Sequence, residues 1–261
     1  MIHPTAVISP GAQIASDVEI GPYCVIGPNV KIGAGSKLMS HVVIDGLTTI
    51  GERNTFFPMA AIGHKTQDLK YKEGNKCYLE IGNDNVVREF ATIHCATIHC
   101  ATLDGSKTIV GNNNLIMAYC HIAHECILGN NIIMSNAATL AGHVQVGDYA
   151  VLSGMAGVHQ FCRIGKMAMI GGCTKVTMDV APFTLVDGVP PRCATINRVR
   201  MSRLGITQET INKMNQAYKI VFRQEMKLKD AVEKLKEEFA DVPEIMELAD
   251  FLTKCERGLT R

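Results

Sequence analysis

The sequence predicts a mostly β protein in which a triangular parallel β-helix is followed by a small C-terminal helical domain. Large aliphatic residues recur every six positions over most of the chain, and helical periodicity replaces them near the C-terminus. The 23 glycines and the aromatic content of only 5% fit a narrow, repetitive core. We expect the β-helix at 1–190, with a polar loop at 64–79, and the helical domain at 191–261.

The six-residue repeat forms two series. The first begins at Ile2 and continues to Ile62, and the second begins at Val110 and continues to Val176. A period of six fits neither an α-helix nor a long alternating strand, but it fits one short strand and one turn per hexad. Three hexads therefore close a triangular coil of about 18 residues, in which each aliphatic side chain points inward.

Two segments interrupt this repeat. Residues 64–79 are polar and lack a hexad, which predicts a loop that leaves the coil. Residues 91–102 read ATIHCATIHCAT, a tandem copy of five residues. Either the additional pentad bulges out or one turn is remodelled. Either copy, with His94 or with His99, can occupy the coil.

The C-terminal part follows a linker predicted at 187–192 and contains three predicted helices. Thr207 is a suitable N-cap for the first helix, and Ala231 belongs to the second. The third helix is predicted to begin near Pro243, a favourable first position, and to end before Gly258.

Composition and charge exclude several classes of function. The formal net charge of +1 gives no general attraction to nucleic acid, so we expect no nucleic-acid partner. No apolar run approaches ~18 residues, so we expect no membrane span. The N-terminus lacks the pattern of a secretory signal, and we expect the ten cysteines to be small apolar residues in a reducing cytoplasm.

Histidines recur at the spacing of the coil. Residues 18 apart stack on one face at about 4.8 Å, as do Ile122, Leu140 and Val158. Three histidines follow these residues within three positions, and a fourth is expected at the preceding turn: His124, His143 and His159, with His121 before them. Such a cluster can bind a metal ion or provide a general base.

Four segments carry a resemblance to a known family. IAHEC (122–126), SNAATLAGHV (135–144), GVHQFCRIG (157–165) and QDLKY (67–71) resemble the acyl-carrier-protein-dependent UDP-N-acetylglucosamine 3-O-acyltransferases, which begin lipid A synthesis. The resemblance covers the whole chain. It implies a left-handed β-helix, a homotrimer with sites between neighbouring prisms, and no cofactor or metal. The reaction implied moves a 3-hydroxyacyl chain from acyl carrier protein to the sugar 3-hydroxyl.

The resemblance also implies roles for individual residues. His124 is the general base, and Glu125 stands beside it where the family usually has Asp. The backbone N–H of Gly142 is the oxyanion donor. Substrate-binding positions are carried over onto Asp68, Lys70, His121, His143, His159, Gln160, Asn197 and Arg203.

The C-terminal part departs from the family pattern at one position, and its arginines are candidates for binding an acidic partner. Leu204 replaces a second basic residue that often follows the position of Arg203, so Arg198 or Arg200 could replace that contact. Because acyl carrier protein is acidic, we expect a basic docking patch that includes these arginines and Arg192.

Gly172 occupies the position that stops the acyl chain in the family. We expect the acyl chain to lie along the groove between two prisms, starting at His124 and running toward the C-terminal coils, an axial path of roughly 13 Å. Because glycine presents no side chain, the groove is expected to continue and to accept a donor of about myristoyl size or longer. Alternatively, Gly172 is only a tight-turn glycine.

Two other functions are compatible with the repeat. One is the related hexapeptide N-acyltransferase of the same pathway, whose family carries a separate N-terminal uridine-binding domain. Hexads beginning at Ile2 leave no room for that domain. The other is a zinc-dependent γ-class carbonic anhydrase, which binds metal through histidines of neighbouring subunits. Metal content and hydration of carbon dioxide distinguish it from an acyltransferase.

Overall fold

A computed structural model describes residues 1–67, 69, 77–97 and 107–261, in which parallel sheets of short strands form the three faces of a prism. The first face contains β1 (Val7–Ile8), β4 (Val25–Ile26), β7 (Val43–Ile44), β10 (Ala61–His64), β13 (Thr92–His94), β17 (His121–Ile122), β20 (Thr139–Leu140), β23 (Gly157–Val158) and β26 (Lys175–Val176). The second face contains β2 (Gln13–Ile14), β5 (Lys31–Ile32), β8 (Leu47–Ile50), β11 (Cys77–Ile81), β15 (Lys107–Val110), β18 (Ile127–Leu128), β21 (Gln145–Val146) and β24 (Arg163–Ile164), with β14 (Ala96–Thr97) antiparallel to β11. The third face contains β3 (Glu19–Ile20), β6 (Lys37–Leu38), β9 (Thr55–Phe56), β12 (Val86–Val87), β16 (Leu115–Ile116), β19 (Ile133–Met134), β22 (Val151–Leu152), β25 (Met169–Ile170), β27 (Thr184–Asp187) and β28 (Arg192–Ile196).

The ladder follows the predicted period. Ile26 pairs with Ile44, and Ile122 pairs with Leu140, and in both cases the partner lies one coil of the predicted length farther along the chain. In each two-residue strand the aliphatic member of the hexad points inward, and these four side chains are fully buried. Burial of such a side chain contributes about 1.5–3 kcal/mol, so the repeat itself builds the core.

Three corners join the faces, and each has a distinct character. The histidine corner, between the first and second faces, carries His124, His143 and His159. The helix corner, between the second and third faces, carries Asn131, Tyr149 and Met167. The apolar corner, between the third and first faces, carries the exposed side chains of Tyr23, Met59, Phe90, Tyr119 and Met155.

The first copy of the tandem pentad occupies the coil. Ile93 pairs with Ile62 before it and with Ile122 after it, and both separations along the chain exceed the length of a regular coil. Both additional segments connect the first face to the second, at the histidine corner. The predicted loop at 64–79 is shorter in the structure, because β10 includes residue 64 and β11 begins at residue 77. Asp68, Lys70 and His99 lie outside the described residues.

Sheet structure extends beyond the predicted boundary at residue 190. Strands β27 and β28 form an antiparallel pair that closes the third face, so residues 192–196 belong to the sheet. Four helices follow: α1 (Arg198–Arg203), α2 (Gln208–Arg223), α3 (Leu228–Glu238) and α4 (Pro243–Thr253). The Thr207 hydroxyl accepts from the Thr210 N–H, which confirms the predicted cap of α2.

The helical region packs against the second face of the prism. Lys166 forms an ion pair with Glu247 of α4 at 3.0 Å. The Arg163 guanidinium lies 4.2 Å from the centre of the Phe251 ring, and its Nη1 donates to the carbonyl of Lys254. One face of the prism is therefore covered in its C-terminal coils by the chain's own helices.

Most of the described cysteines are buried, as the sequence predicts. Six of the eight cysteines whose side chains are described are buried, as small apolar residues are. Among the described residues, no helix has the length and apolar character needed to cross a bilayer.

Candidate active site

The histidine corner brings together the residues that the sequence placed on one edge. His124, Gly142 and Gln160 occupy the same turn position in three successive coils. His143 follows Gly142, and its N–H donates to the His124 carbonyl at 3.0 Å, which locks the two coils in register. The structure thus brings His124, His143 and His159 to one corner, as their spacing predicts.

His124 and Glu125 form the central pair of this corner. Nδ1 of His124 is hydrogen-bonded to Oε2 of Glu125, and the two side chains are only 15% and 12% exposed. The Glu125 N–H donates to the Thr108 hydroxyl, which fixes the turn. A carboxylate at Nδ1 holds that nitrogen protonated and leaves the lone pair on Nε2, the arrangement of a general base.

Glu125 also faces a second imidazole. Its Oε2 lies 3.8 Å from Nε2 of His143, whose side chain is 39% exposed. The His143 ring is perpendicular to that of His124 at 5.2 Å and stacks on Phe161 at 4.6 Å. The Glu125 carboxylate therefore lies close to two imidazoles, and the Phe161 ring covers one side of the His143 ring.

Gly142 lies directly against the imidazole of His124. A Cβ added at Gly142 would approach His124 Cε1 to 2.5 Å and Nε2 to 2.7 Å, so only glycine allows this packing. Its N–H donates to no other group within the described part of the chain. Prolines occupy the corresponding turn position at residues 4, 10, 22, 28 and 58, because the ladder does not use this N–H. The donor is thus available to a ligand.

His121 lies in β17 rather than at a turn, which corrects the sequence expectation. The hexad places Ile122 inward, so His121 points outward from the first face. Its Nδ1 shares a 2.7 Å hydrogen bond with the Thr92 hydroxyl, and its ring contacts that of His94 edge-on at 4.7 Å.

Burial keeps two of these imidazoles neutral near pH 7. Burial, together with the smaller effect of the charges of His121, His64 and His124, lowers the pKa of His94 to about 4. Burial also lowers the pKa of His121, and the charge of His124 adds to this effect. The rings of His94 and His121 therefore form an uncharged surface beside His124.

His159 and Gln160 lie one coil farther along and are exposed. Nη2 of Arg257 lies 3.2 Å from Nδ1 of His159. Arg257 was not predicted from the sequence to be a site residue. The site thus includes a contribution from the C-terminal end of the chain.

The two residues expected to contact the nucleotide lie at the helix corner, away from His124. Asn197 is 5% exposed: its oxygen accepts from the Arg200 N–H at the start of α1, and its Nδ2 donates to the carbonyl of Met167. Arg203 is exposed at the end of α1. The second face separates this corner from the histidine corner, so within one chain these residues do not converge on His124.

The two arginines considered as replacements at Leu204 differ in availability. Arg200 donates from Nε to the Tyr149 carbonyl and from Nη2 to the Asn131 carbonyl, so its guanidinium is tied to the helix corner. Arg198 is exposed and lines a surface groove together with Arg203. Of the two, Arg198 is the cation available to a ligand.

Gly172 lies at the apolar corner, away from the corner that carries His124. Positions 124 and 172 are not separated by a whole number of coils, so they cannot share an edge. A groove that joins His124 to Gly172 must therefore cross the width of the first face as well as run along the prism axis. Gly172 has no positive φ, and an added Cβ would meet only the Gly154 carbonyl at 3.5 Å. It is therefore not a strained turn glycine.

The histidine corner holds the group in the described chain whose geometry suits a metal ion. One ligand atom each from His124, Glu125 and His143 lies within 4.8 Å of the others. Two imidazoles and a carboxylate are suitable zinc ligands. The residues alone are thus compatible with both interpretations of the cluster, base or metal.

Comparison with known proteins identifies relatives of this chain. The family described as "Udp N-acetylglucosamine O-acyltransferase; Domain 2" matches residues 179–260, and the hexapeptide-repeat family of bacterial transferases matches residues 1–34. The acyl-(acyl-carrier-protein)–UDP-N-acetylglucosamine O-acyltransferase of Thermodesulfovibrio yellowstonii is 50% identical over 260 residues, which cover 100% of this chain and 99% of that protein. The protein of the same name from Psychrobacter sp. is 49% identical over 261 residues, which cover 100% of this chain and 99% of that protein.

Solved structures agree over the full chain. The UDP-N-acetylglucosamine acyltransferase of Francisella novicida has a TM-score of 0.95 and 41% identity, and the match covers 100% of this chain and 94% of that one. The Arabidopsis enzyme of the same name has a TM-score of 0.86 and 34% identity, with full coverage of both chains. Together with the three parallel faces, this likeness confirms the left-handed β-helix followed by a helical region.

Proposed function

The chain belongs to the UDP-N-acetylglucosamine O-acyltransferase family, and we propose on that premise that it moves a 3-hydroxyacyl chain from acyl carrier protein to the 3-hydroxyl of UDP-N-acetylglucosamine, the first step of lipid A synthesis. The observation that carries this proposal is the contact of His124 with Glu125 on one side and with the Gly142 backbone on the other. A general base, the carboxylate that orients it and a backbone N–H donor lie within two adjacent coils.

The proposed reaction uses each of these groups at a stated atom. Nε2 of His124 accepts the proton of the sugar hydroxyl while that oxygen attacks the thioester carbonyl carbon. The Gly142 N–H donates to the oxyanion that forms. The C–S bond then breaks, and the imidazolium returns its proton to the departing sulfur, so that the ester and the free thiol are formed without any cofactor.

Glu125 holds His124 through this cycle. As the imidazole takes up the proton, the adjacent carboxylate stabilises its positive charge. His143 lies on the other side of the carboxylate and is stacked on Phe161, so its position is also fixed. We propose that His143, His121, His159 and Gln160 contact the substrates around the base.

The distribution of apolar surface supports a homotrimer. The outward positions of the third face form a ladder of aliphatic residues: Val86, Leu115, Ile133, Val151, Met169 and Leu185. The exposed side chains of the apolar corner run alongside it. The first face adds outward-pointing Val7, Val25 and Val43 in the N-terminal coils. The second face, by contrast, presents Gln13, Lys31 and Gln145 and packs against α4.

A threefold arrangement with the apolar corner at the axis accounts for these surfaces. It sets the third face of one chain against the first face of the next and leaves the second face outside. The cleft between two chains then opens between the histidine corner of one and the helix corner of the other. His124 of one chain thereby faces Arg203 of its neighbour, and Gly172 lies at the inner end of the cleft, where we propose that the acyl chain ends.

The remaining substrate contacts follow from this cleft. We propose that Asp68 and Lys70, which lie between β10 and β11 in the sequence, and Arg198 and Arg203 at the helix corner bind the sugar nucleotide. The exposed Arg192 and Arg198 suit the acidic acyl carrier protein. An enzyme that draws on acyl carrier protein and a sugar nucleotide is expected in the cytoplasm.

The alternatives receive no support from the relatives. The two relatives from Thermodesulfovibrio and Psychrobacter carry the name of an O-acyltransferase and not of an N-acyltransferase or a carbonic anhydrase. The amine acceptor is tested with a sugar nucleotide whose 3-hydroxyl is replaced by an amine. The zinc interpretation is tested by metal analysis and by hydration of carbon dioxide.

Mixed trimers test the composition of the site. His124→Ala and Arg203→Glu are each expected to be nearly inactive alone at low sugar-nucleotide concentration. When the two variants are co-expressed with different tags, random trimers recover about one quarter of the wild-type sites, because each cleft takes His124 from one chain and Arg203 from the other. Absence of any recovery in trimers shown to be mixed would place both residues in one chain's site and contradict the arrangement.

A further inference from the structure

The last residues of the chain return to the histidine corner and pair with it. Asp179 lies one coil beyond Phe161 at the same turn position, and its backbone forms hydrogen bonds with Gly258 and Thr260 on the tail. The Thr260 hydroxyl also donates to the Met178 carbonyl, and its side chain is buried. The tail is therefore fixed on the β-helix rather than loosely attached.

This pairing places the tail beside the active-site column. A groove of about 920 Å³ separates His143 and Phe161 on the β-helix from Lys254, Glu256 and Arg257 on the C-terminal segment. Arg257 crosses to the β-helix and donates from Nη2 to Nδ1 of His159 at 3.2 Å. The tail thus contacts an imidazole one coil beyond Gly142.

The contact decides which nitrogen of His159 carries the proton. Nδ1 also lies 3.2 Å from the carbonyl oxygen of Gln160, but it cannot donate to that oxygen while it accepts from Arg257. A guanidinium has only donors and keeps its protons at any pH that proteins tolerate. Nδ1 is consequently the acceptor, and the proton of the neutral ring is on Nε2.

We propose that Arg257 is a positioning residue for acyl transfer: it holds His159 in the Nε2–H form, so that this imidazole donates a hydrogen bond to a carbonyl or hydroxyl oxygen of the acyl donor in the groove. The part concerning the donor rests on the proposed function. Asp179 and the tail pairing act through Arg257 by holding it at the corner. His124 keeps its lone pair on Nε2 and accepts, whereas His159 donates.

Nitrogen NMR of the whole protein tests the tautomer directly. In protein labelled with ¹⁵N-histidine, the His159 signals are assigned by their absence in His159→Gln. We expect the pattern of the Nε2–H tautomer in the wild type and in Arg257→Lys, since lysine also has only donors. In Arg257→Ala the Nδ1–H form should appear, because Nδ1 is then free to donate to the Gln160 carbonyl.

Kinetics test the consequence for catalysis. Arg257→Ala should lower kcat about tenfold, with the KM for the sugar nucleotide changed less than twofold, and Arg257→Lys should restore most of the rate. Arg261→Ala, farther along the same tail and exposed, is the matched control and should leave kcat unchanged. The trimer mass and Tm are compared for all variants.

Three results would overturn the proposal. The first is an Nδ1–H tautomer in the wild type. The second is an Arg257→Ala variant with the wild-type tautomer and kcat. The third is an equal loss of kcat and Tm in Arg257→Ala, Arg257→Lys and Arg261→Ala, which would mean that the tail is only structural. If the wild type acylates no sugar nucleotide at all, the proposed function fails, and the NMR result still decides the contact.

Discussion

The close packing of Gly142 on His124 gives a prediction that separates two catalytic contributions. In Gly142→Ala, the new Cβ would lie 2.5 Å from His124 Cε1, whereas ordinary carbon contacts are about 3.5–4.0 Å. The imidazole must therefore move, and a displacement of about 1 Å can cost on the order of 10²-fold in rate. The φ of Gly142 is not positive, so alanine adds no backbone strain.

Gly142→Pro adds the loss of the donor to the same displacement. Proline occupies this turn position at Pro22, Pro28 and Pro58, so the fold tolerates it. Both variants introduce a Cβ beside His124, but only proline removes the N–H. We expect Gly142→Pro to be slower than Gly142→Ala by a further factor of about 10²–10³, the usual order of magnitude for one oxyanion donor.

The assay is steady-state kcat with acyl carrier protein donor and UDP-N-acetylglucosamine, with the mass of the oligomer and its Tm measured on each variant. Gly154→Ala is the folding control, since the added Cβ at this repeat position meets only the Asn136 carbonyl at 3.5 Å. If Gly142→Ala keeps kcat within threefold of the wild type, the imidazole is not held against Gly142 during catalysis. If alanine and proline are equally slow, the Gly142 N–H does not serve the oxyanion.

Four further outcomes are expected. Gly172→Met should fold, because the position is open and unstrained, and it should shift preference to shorter donors; an unchanged chain-length profile would end its assignment. Lys70→Ala should raise the KM for the sugar nucleotide more than it lowers kcat, as loss of ground-state binding does. Because the pKa of His94 falls from 6.5 to about 4 on folding, the unfolding free energy should decrease by up to about 3 kcal/mol as pH falls from 6.5 to 4. In His94→Gln, the unfolding free energy measured with urea should depend less on pH over that window. Burial raises the pKa of Asp179 above 3.8, so its contribution to stability falls as pH rises above that value. Its Oδ2 is buried, has no hydrogen-bond partner in the described chain and lies 4.0 Å from Arg163 Nη1. Because the cost of burial outweighs this long ion pair, Asp179→Asn should increase the unfolding free energy at pH 7 by about 1 kcal/mol, and a clear decrease would contradict this.

The repeat could be predicted from the sequence because its signal is local and periodic. Every inward aliphatic residue marks one strand, so the pairing of Ile26 with Ile44 and the clustering of His124 with His143 follow from counting in steps of one coil. The helix starts at Thr207 and Pro243 were likewise predictable, since helix termini have their own short sequence signals.

Other features depend on contacts that no local pattern encodes. The pairing of Ile93 with both Ile62 and Ile122 decides which pentad occupies the coil, and the two copies are identical in sequence. Asn197 has a polar side chain typical of a binding residue. In the structure its side chain caps α1 and donates a hydrogen bond to the Met167 carbonyl. Arg257 reaches His159 from a distant part of the chain, and a lone arginine in a tail carries no signal of that contact.

The corner on which a residue lies does not follow from its axial distance alone. The spacing between His124 and Gly172 is visible in the sequence, but an axial distance alone does not place the two residues relative to each other. Two full coils from His124 end at Gln160, and the chain then passes the helix corner before it reaches Gly172 at the apolar corner. Position on such a prism therefore depends on the fraction of a coil that remains as well as on the number of whole coils.

The central claim is that His124, without a metal ion, removes the proton from the sugar 3-hydroxyl for attack on an acyl-carrier-protein thioester. The direct measurement is turnover of UDP-N-acetylglucosamine with 3-hydroxyacyl carrier proteins in the presence of EDTA, with the acylated position of the product identified by mass spectrometry and NMR. We expect a 3-O-ester with undiminished rate in EDTA, and a loss of ~10²–10⁴-fold in His124→Ala with the proposed trimer intact. More than half of the wild-type turnover in His124→Ala, or an EDTA loss restored by zinc, would contradict the account.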